Sequence, residues 1–437
     1  MRHFFENMKT EQIYQLYMES AGVSTDSRTI TRNQIFFALW GENYNGNKYA
    51  EEAVGKGASW AVIDDPAFET EKTILVDDCL IELQELAAHH RKQMKVPVLA
   101  ITGTNGKTTT KELISAILAK KFRVHSTKGN LNNHIGVPLT ILSAPKGTEM
   151  MVIEMGASHI GEIRTLCLIA KPEYGIVTNV GSAHIEGFGS FDGVLKAKTE
   201  LYEYLRKVNG IAIYNDKDHV LSERIFKIVN RAVPYSEPTG IDLNVVPAGS
   251  DLNLSVKVSY HLKTSVIETS LFGLCNVENI KASIAAGLFL GVEMEDIIDA
   301  IRNYQPGNNR SQIKKTGNNT LICESYNANP ASMTSALDSF ALVNSDKKMC
   351  ILGDMLELGD KSGDEHGKIL EVLKKNKLEN VLLAGSEFSK AAVHTGFKTF
   401  PDVRKLEEFL RSEQIKGYTI LIKGSRGMTM EKVYDAL

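Results

Sequence analysis

The 437-residue sequence predicts an α/β protein of three units, and three observations carry that prediction. Apolar strand-like runs alternate with helix-compatible segments along most of the chain, the pattern of largely parallel sheets covered by helices. One run, Val98-Leu-Ala-Ile101, leads through Thr102-Gly-Thr-Asn-Gly-Lys-Thr108 into a helix-compatible segment, a strand-turn-helix unit. Gln305-Pro-Gly-Asn-Asn309 gathers turn residues between two such series and marks a boundary. A prior of roughly 100 to 200 residues per domain agrees with three units.

Residues 1–95 read as a small α/β unit. Gln34–Leu39, Ser59–Ile63 and Thr73–Val76 are strand-like, Tyr49–Gly57 is helix-like, and a helix runs from about Leu80 to Lys95 before Pro97 punctuates the join. Residues 96–306 form the central unit, with strands at Val98–Ile101, Met150–Met155, Tyr174–Val180 and Gly210–Tyr214 in a mostly parallel, doubly wound sheet. Within it, Asn253–Leu262 and Ser265–Phe272 alternate like antiparallel strands, and a hairpin added at one edge of that sheet is expected. Residues 307–437 make the third unit, a Rossmann-like βα series with strands at Thr320–Ser325, Met349–Leu352, Val381–Ala384 and Thr419–Lys423.

Composition narrows the function classes. Hydrophobic residues make up 43% and charged residues 24%, enough for real cores. A formal net charge of −3 gives no electrostatic footprint for nucleic acid or an anionic membrane, so small anions must be met by local sites. Five scattered cysteines with no Cys-x-x-Cys pair point away from a disulfide framework or a zinc site and fit a reducing cytoplasm. Neither a signal-peptide core nor an apolar run of membrane-spanning length is present.

The turn after Val98–Ile101 is where phosphate chemistry is expected. Gly103 and Gly106 let backbone N–H groups approach phosphate oxygens, with Thr104 and Asn105 between them. Lys107 brings a charge to the β/γ region, and Thr108, followed by Thr109, offers a hydroxyl to a phosphate-bound magnesium ion. The ordinary signature needs a first glycine where Ile101 stands, so this is a shortened Gly-x-x-Gly-Lys-Thr loop. Ligands of open α/β sheets lie beyond the carboxyl ends of strands, which singles out Glu154, Asn179 and His184. Glu154 ends an apolar strand, where it reads either as a magnesium ligand or as a salt-bridged strand end. His184 stands in the Gly-rich Gly181–Gly189 run, either as a site group or as a hydrogen-bonded loop histidine. Lys196 and Lys198 lie on a helix-like stretch, where solvated lysines are the default.

Taken with Asp26-Ser-Arg28, Asn130-Leu-Asn-Asn-His134, Glu154-Met-Gly-Ala157, Asn179-Val-Gly-Ser-Ala-His184, Ser325-Tyr-Asn-Ala-Asn-Pro330, Leu352-Gly-Asp-Met-Leu-Glu-Leu-Gly359 and Lys423-Gly-Ser-Arg426, the chain closely resembles the Mur ligases. These are ATP-dependent amide-forming enzymes of peptidoglycan precursor synthesis. The resemblance runs through essentially the whole chain, and the Ser325–Pro330 and Gly353–Gly359 motifs point to the branch that adds D-alanyl-D-alanine to UDP-N-acetylmuramoyl-tripeptide.

The resemblance implies that the first unit holds the uridine nucleotide end of the acceptor, with Ser27 and Arg28 as contacts. It implies ATP on the central unit, two Mg2+ ions, and a third unit that closes over the nucleotide and helps to bind the dipeptide. Catalytic roles fall to Lys107, Glu154, His184 and Lys198; Lys198 matches the lysine that the family carbamylates, so its amine should lie where its pKa is depressed. Metal ligation falls to Thr108, Glu154, His184 and carbamylated Lys198. Asn276, Arg310 and Glu324 join the loop in binding ATP, and Asn132, Asn133, Tyr326, Asn327 and Asn329 in binding substrate. A cytoplasmic monomer is expected.

Two departures stand out. The family's adenine-binding His-Asn pair is Cys275-Asn276 here, and its ribose-contacting aspartate is Glu324, preceded by Cys323. A folylpolyglutamate synthase would share the loop but is not expected to carry about 95 folded residues before it. A tripeptide synthetase adding lysine or diaminopimelate would show Asp-Asn-Pro-Arg, which is absent. A non-catalytic nucleotide-binding protein would have little reason to keep Lys107, Glu154, His184 and Lys198 together.

Overall fold

Short β-branched and apolar runs bounded by turn residues build four of the sheets, and the inner strands among them are the buried ones. The computed structural model describes residues 2–42, 44–181 and 185–437. In the first unit Val23–Ser24, Ile35–Phe37, Trp60–Ile63 and Thr73–Leu75 lie side by side in a parallel four-stranded sheet. The helix Cys79–Met94 starts where Asp78 accepts from the Leu80 and Ile81 N–H groups, and stops at Lys95 in the left-handed conformation. The helix Arg2–Glu19, ahead of this sheet, left no expectation in the sequence reading.

Arg91, near the end of Cys79–Met94, is 4% exposed and belongs to the join with the central unit. Its guanidinium donates to the carbonyls of Ala170 (2.8 Å) and Lys171 (3.1 Å) and to the Glu173 carboxylate (2.8 Å). One continuous apolar core spans this join, taking in Ile35 and Leu83 on one side and Ile153 and Leu201 on the other.

The central sheet is six-stranded and wholly parallel, in the order 232–234, 211–214, 174–177, 98–102, 150–154, 124–126. Val98–Thr102 and Met150–Glu154 are buried along their full length, as strands covered on both faces must be. The connection after Val98–Thr102 runs toward one edge and that after Tyr174–Val177 toward the other. A crevice therefore opens beyond the carboxyl ends of these two neighbours.

The expected edge hairpin is instead a separate three-stranded antiparallel sheet, Leu243–Ser250, Leu254–Tyr260 and Lys263–Glu268. The strands satisfy one another's backbone groups, and the inward residues Leu254, Val256 and Val258 bury in a core shared with Ile280 and Ile284 of the helix Asn276–Phe289. That packing, not extension of the parallel sheet, decides where the strands go.

The third unit has a six-stranded sheet in the order 312–315, 320–324, 419–423, 348–353, 381–384, 398–400, antiparallel only at Gln312–Lys315. The run joining it to the central unit holds Asn308, Asn309 and Ser311 in the left-handed region. Among the described residues no helix is long and apolar enough to cross a membrane.

Candidate active site

The shortened loop sits in the crevice of the central sheet, and its two glycines are required by geometry. Gly103 (φ +141°) leaves no room for a side chain, because a Cβ there would collide with Thr178 Oγ1; at Gly106 (φ +79°) a Cβ would collide with Asn279 Oδ1. The loop is bolted to the neighbouring strand end. Asn179 Oδ1 accepts from the Asn105 N–H (2.9 Å), while Asn179 Nδ2 (3.1 Å) and Thr178 Oγ1 (2.6 Å) donate to the Asn105 carbonyl. The helix Lys107–Leu118 begins at Gly106 with no side-chain cap, so its first N–H groups face the crevice unspent, as an anion site demands. Lys107 Nζ folds back onto the carbonyls of Gly103 (2.7 Å) and Thr104 (2.9 Å). Burial lowers its ammonium to about 8, with Glu154 opposing the shift and Arg310 adding to it.

Glu154 ends the adjacent strand and is 1% exposed. Its Oε1 accepts from Asn132 Nδ2 (2.8 Å), but its buried Oε2 has no hydrogen-bond partner in the protein. The salt-bridged alternative is therefore not what is found. A buried carboxylate oxygen left bare is costly in a folded protein, so it marks a place where a positive ligand belongs. Thr108 is buried and faces the same cavity. Asn133 supports the neighbouring turn by accepting from the Ile135 (3.1 Å) and Gly136 (2.9 Å) N–H groups.

Lys198 departs furthest from the solvated default. It projects from the helix Phe191–Lys207, is 2% exposed, and donates to the Ala157 carbonyl at 3.2 Å, with Nζ 5.3 Å from the Phe188 ring centre. Burial, aided by the nearby charge of Lys107, lowers its pKa to about 7, although Glu162 and Glu200 pull the other way. Glu200 is committed elsewhere, accepting from the N–H groups of Gly161 (2.7 Å) and Arg164 (3.0 Å). His184 lies outside the described residues.

The third unit supplies the opposite wall. Arg310 stacks on Tyr326, its guanidinium carbon 3.5 Å from the ring centre. Glu324 Oε1 accepts from Ser311 N–H (2.6 Å) and Oγ (2.9 Å), and Oε2 lies 3.4 Å from the buried Lys423 ammonium. Asn329 caps the helix Pro330–Ala341 by accepting from Ser332 N–H (2.9 Å), and its Nδ2 crosses to Asn105 Oδ1 (2.8 Å). Together these walls enclose about 920 Å³.

Of the residues expected at the site, Thr104 to Thr109, Asn132, Asn133, Glu154, Arg310, Glu324, Tyr326, Asn327 and Asn329 line this cavity. Gly103, Lys198, Asn276, Ser27 and Arg28 do not. Asn276 is turned inward and its amide is spent: Nδ2 donates to Phe272 O (2.6 Å) and Ser311 Oγ (3.0 Å), and Oδ1 accepts from Asn279 (2.8 Å). Ser27 is buried, with its carbonyl accepting from Lys56 Nζ at 3.2 Å. Exposed Arg28 pairs with Asp26 (2.8 Å), whose carboxyl it draws down to about 2.

Sequence reasoning did not single out Asn279, although a second asparagine three positions after Asn276 on the same helix signals a shared polar face. Lys423 carried the same signal as Glu154, a charge ending an apolar strand.

This arrangement can hold a chain of phosphates on the loop and a cation beside them, in a cavity whose wall reaches Leu80 and Gln84 of the first unit. Two family models match the chain, one described as Mur ligase middle domain over residues 101–287 and one as Mur ligase, glutamate ligase domain over residues 309–426. The chain is 35% identical to the UDP-N-acetylmuramoyl-tripeptide--D-alanyl-D-alanine ligase of Bacillus subtilis (strain 168), covering 95% of this chain and 93% of that one. It is 33% identical, with the same coverage, to the protein of that name from Escherichia coli (strain K12). Among solved structures, MurF from Acinetobacter baumannii is similar with a TM-score of 0.85 at 29% identity, covering 96% of this chain and 97% of that one. MurF ligase from Thermotoga maritima in complex with ADP gives 0.83 at 26% identity with the same coverage.

Proposed function

The chain belongs to the Mur ligase family, and from that premise we propose that it joins D-alanyl-D-alanine to UDP-N-acetylmuramoyl-tripeptide at the expense of ATP. Its product is the pentapeptide precursor of peptidoglycan, on which the cell wall, cell shape and division depend. We assign residues 1–95 to the uridine end of the acceptor, with Ser27 and Arg28 as contacts, residues 96–306 to ATP, and residues 307–437 to the dipeptide and to closure. A cytoplasmic site of action fits these substrates.

The single observation that carries the reading is the pairing of an uncapped, lysine-bearing phosphate loop with a buried carboxylate that has one oxygen bare. That oxygen fits magnesium: Thr108 and Glu154 would hold one ion, and His184 with carbamylated Lys198 a second. Among the described residues no three His, Cys, Asp or Glu side chains converge. A magnesium ion held there would supply charge neutralisation to the phosphates.

The chain's own groups do the rest. The tripeptide carboxylate forms a bond to the γ-phosphorus while the bond from that phosphorus to the bridging oxygen breaks, releasing ADP and leaving an acyl phosphate. Lys107 and Arg310 compensate the charge on the transferring group, and the loop N–H groups hold the rest of the nucleotide. The dipeptide amine then bonds to the acyl carbon, loses a proton, and phosphate departs. Lys198, held neutral above about pH 7, is suited to take up carbon dioxide with loss of one proton and so become an anionic oxygen ligand.

The test is phosphate release with UDP-tripeptides ending in diaminopimelate or lysine, each with and without D-alanyl-D-alanine. Release that requires ATP, a UDP-tripeptide and the dipeptide is expected. Equal release without the UDP-tripeptide overturns the reading.

A further inference from the structure

An acyl phosphate survives only where water is kept out, so the third unit must be held against the phosphate loop between the two chemical steps. Within the described cavity wall, one side-chain hydrogen bond runs directly from that loop to the opposing unit: Asn329 Nδ2 to Asn105 Oδ1, 2.8 Å across 224 positions of sequence. Both of its ends are fixed. Asn105 is pinned through its own backbone by Thr178 and Asn179, and Asn329 by its capping box with Ser332. The helix that Asn329 caps lines the cavity through Ser332 and Ser335. Its far end is held to the central unit by the Leu274 N–H, which donates to Ser339 Oγ (3.1 Å), so the Asn329 amide fixes the end nearest the loop.

We propose that Asn329 is a positioning residue that couples phosphoryl transfer to amide formation, by latching the third unit onto the loop residue Asn105 while the acyl phosphate exists. The inference rests on the function proposed above. Without the latch, water enters: its oxygen bonds to the acyl carbon, the carbon–oxygen bond to phosphate breaks, and phosphate leaves. One proton of the water goes to phosphate and the other to solvent. The tripeptide carboxylate is restored and an ATP has been consumed with no amide made.

Asn329→Ser separates the latch from the cap, because serine caps a helix as well as asparagine does but is too short to reach Asn105. The measurement is ADP released per amide bond formed by the full-length enzyme, with saturating ATP, UDP-tripeptide and D-alanyl-D-alanine. In the unsubstituted protein the ratio is expected near one. In Asn329→Ser it should rise about three- to tenfold, the population change expected from losing one ordinary hydrogen bond. Hydroxylamine added to the variant should be captured as the tripeptide hydroxamate, and far less so in the unsubstituted enzyme. Asn105→Ser, which removes the other end of the bond, should give the same rise, and the double variant should add little to it.

Turnover in Asn329→Ser that stays coupled at any rate overturns the proposal. So does loss of phosphate release together with ligation, since the latch acts after phosphoryl transfer. Absence of ligation in the unsubstituted enzyme would instead overturn the proposed function, so the two failures are distinguishable.

Discussion

Glu154 and Asp354 occupy matching places, each a buried carboxylate at the carboxyl end of an inner strand of a six-stranded sheet, 1% and 3% exposed. Their surroundings differ. Asp354 is saturated: its oxygens accept from the N–H groups of Glu387 (3.0 Å) and Phe388 (2.9 Å), the first turn of the helix Ser386–Ala391. The Nε2 of His366 stands 3.7 Å away, itself accepting from Met355 N–H. Glu154 has one oxygen on Asn132 and the other on nothing. The same residue class at the same address thus serves architecture in one sheet and keeps an oxygen without a protein partner in the other, and the distinguishing mark is that unsatisfied atom.

Substitutions can break this contrast. Lys107→Ala, which strips the central crevice of its loop cation, should reduce ATP-dependent ligation by about a thousandfold or more, read as phosphate release. Glu154→Gln should lower kcat about a hundred- to thousandfold while leaving the thermal midpoint unchanged or raised, because an unpaired buried charge is removed. A stability loss without an activity loss would put Glu154 in the class of Asp354.

Lys198→Ala should also lose activity, and a small carboxylate such as acetate or formate should restore part of it. The same lysine gives a pH signature. Its folded pKa of about 7 lies below that of the unfolded chain, so between about 7 and the ordinary lysine range the unfolded chain holds a proton that the folded one lacks. In carbonate-free buffer, stability should therefore climb as pH rises through that window, the penalty being full below pH 7. Denaturant midpoints of Lys198→Met should be flatter over the same range.

Smallest is the architectural member. Asp354→Asn turns an acceptor into a partial donor against two N–H groups and should cost about 1–3 kcal/mol in denaturant unfolding, with a much smaller effect on kcat than Glu154→Gln.

The half of the site that phosphate chemistry dictates was legible in the sequence. Gly103, Gly106, Lys107 and Thr108 have to be contiguous, and Glu154 stands out as a charge in an apolar strand. Lys198 gave no such signal. On a helix that carries solvated lysines, only the packing of Phe188 and Ala157 around it reveals burial. The inward turn of Asn276 was hidden for the same reason, since its partners Phe272, Asn279 and Ser311 meet only in the folded chain. The strands Val124–Ser126, Ala232–Pro234 and Lys398–Phe400 are three residues long, too short to show a period. The antiparallel strands showed their alternation plainly, but alternation does not say which sheet a strand joins.

The buried guanidinium of Arg91, and the core that runs on beneath it from Ile35 to Leu201, have a consequence for how the molecule comes apart. The first two units share their apolar interior, whereas the third builds its cores around Ile322, Leu352 and Leu406 and takes in only Phe272 and the half-buried Leu252 from the central unit. Cooperativity follows shared cores and not sheet count. A calorimeter should accordingly record two melting transitions in this three-unit chain, and proteolysis during partial unfolding should release the carboxyl-terminal third as a discrete fragment.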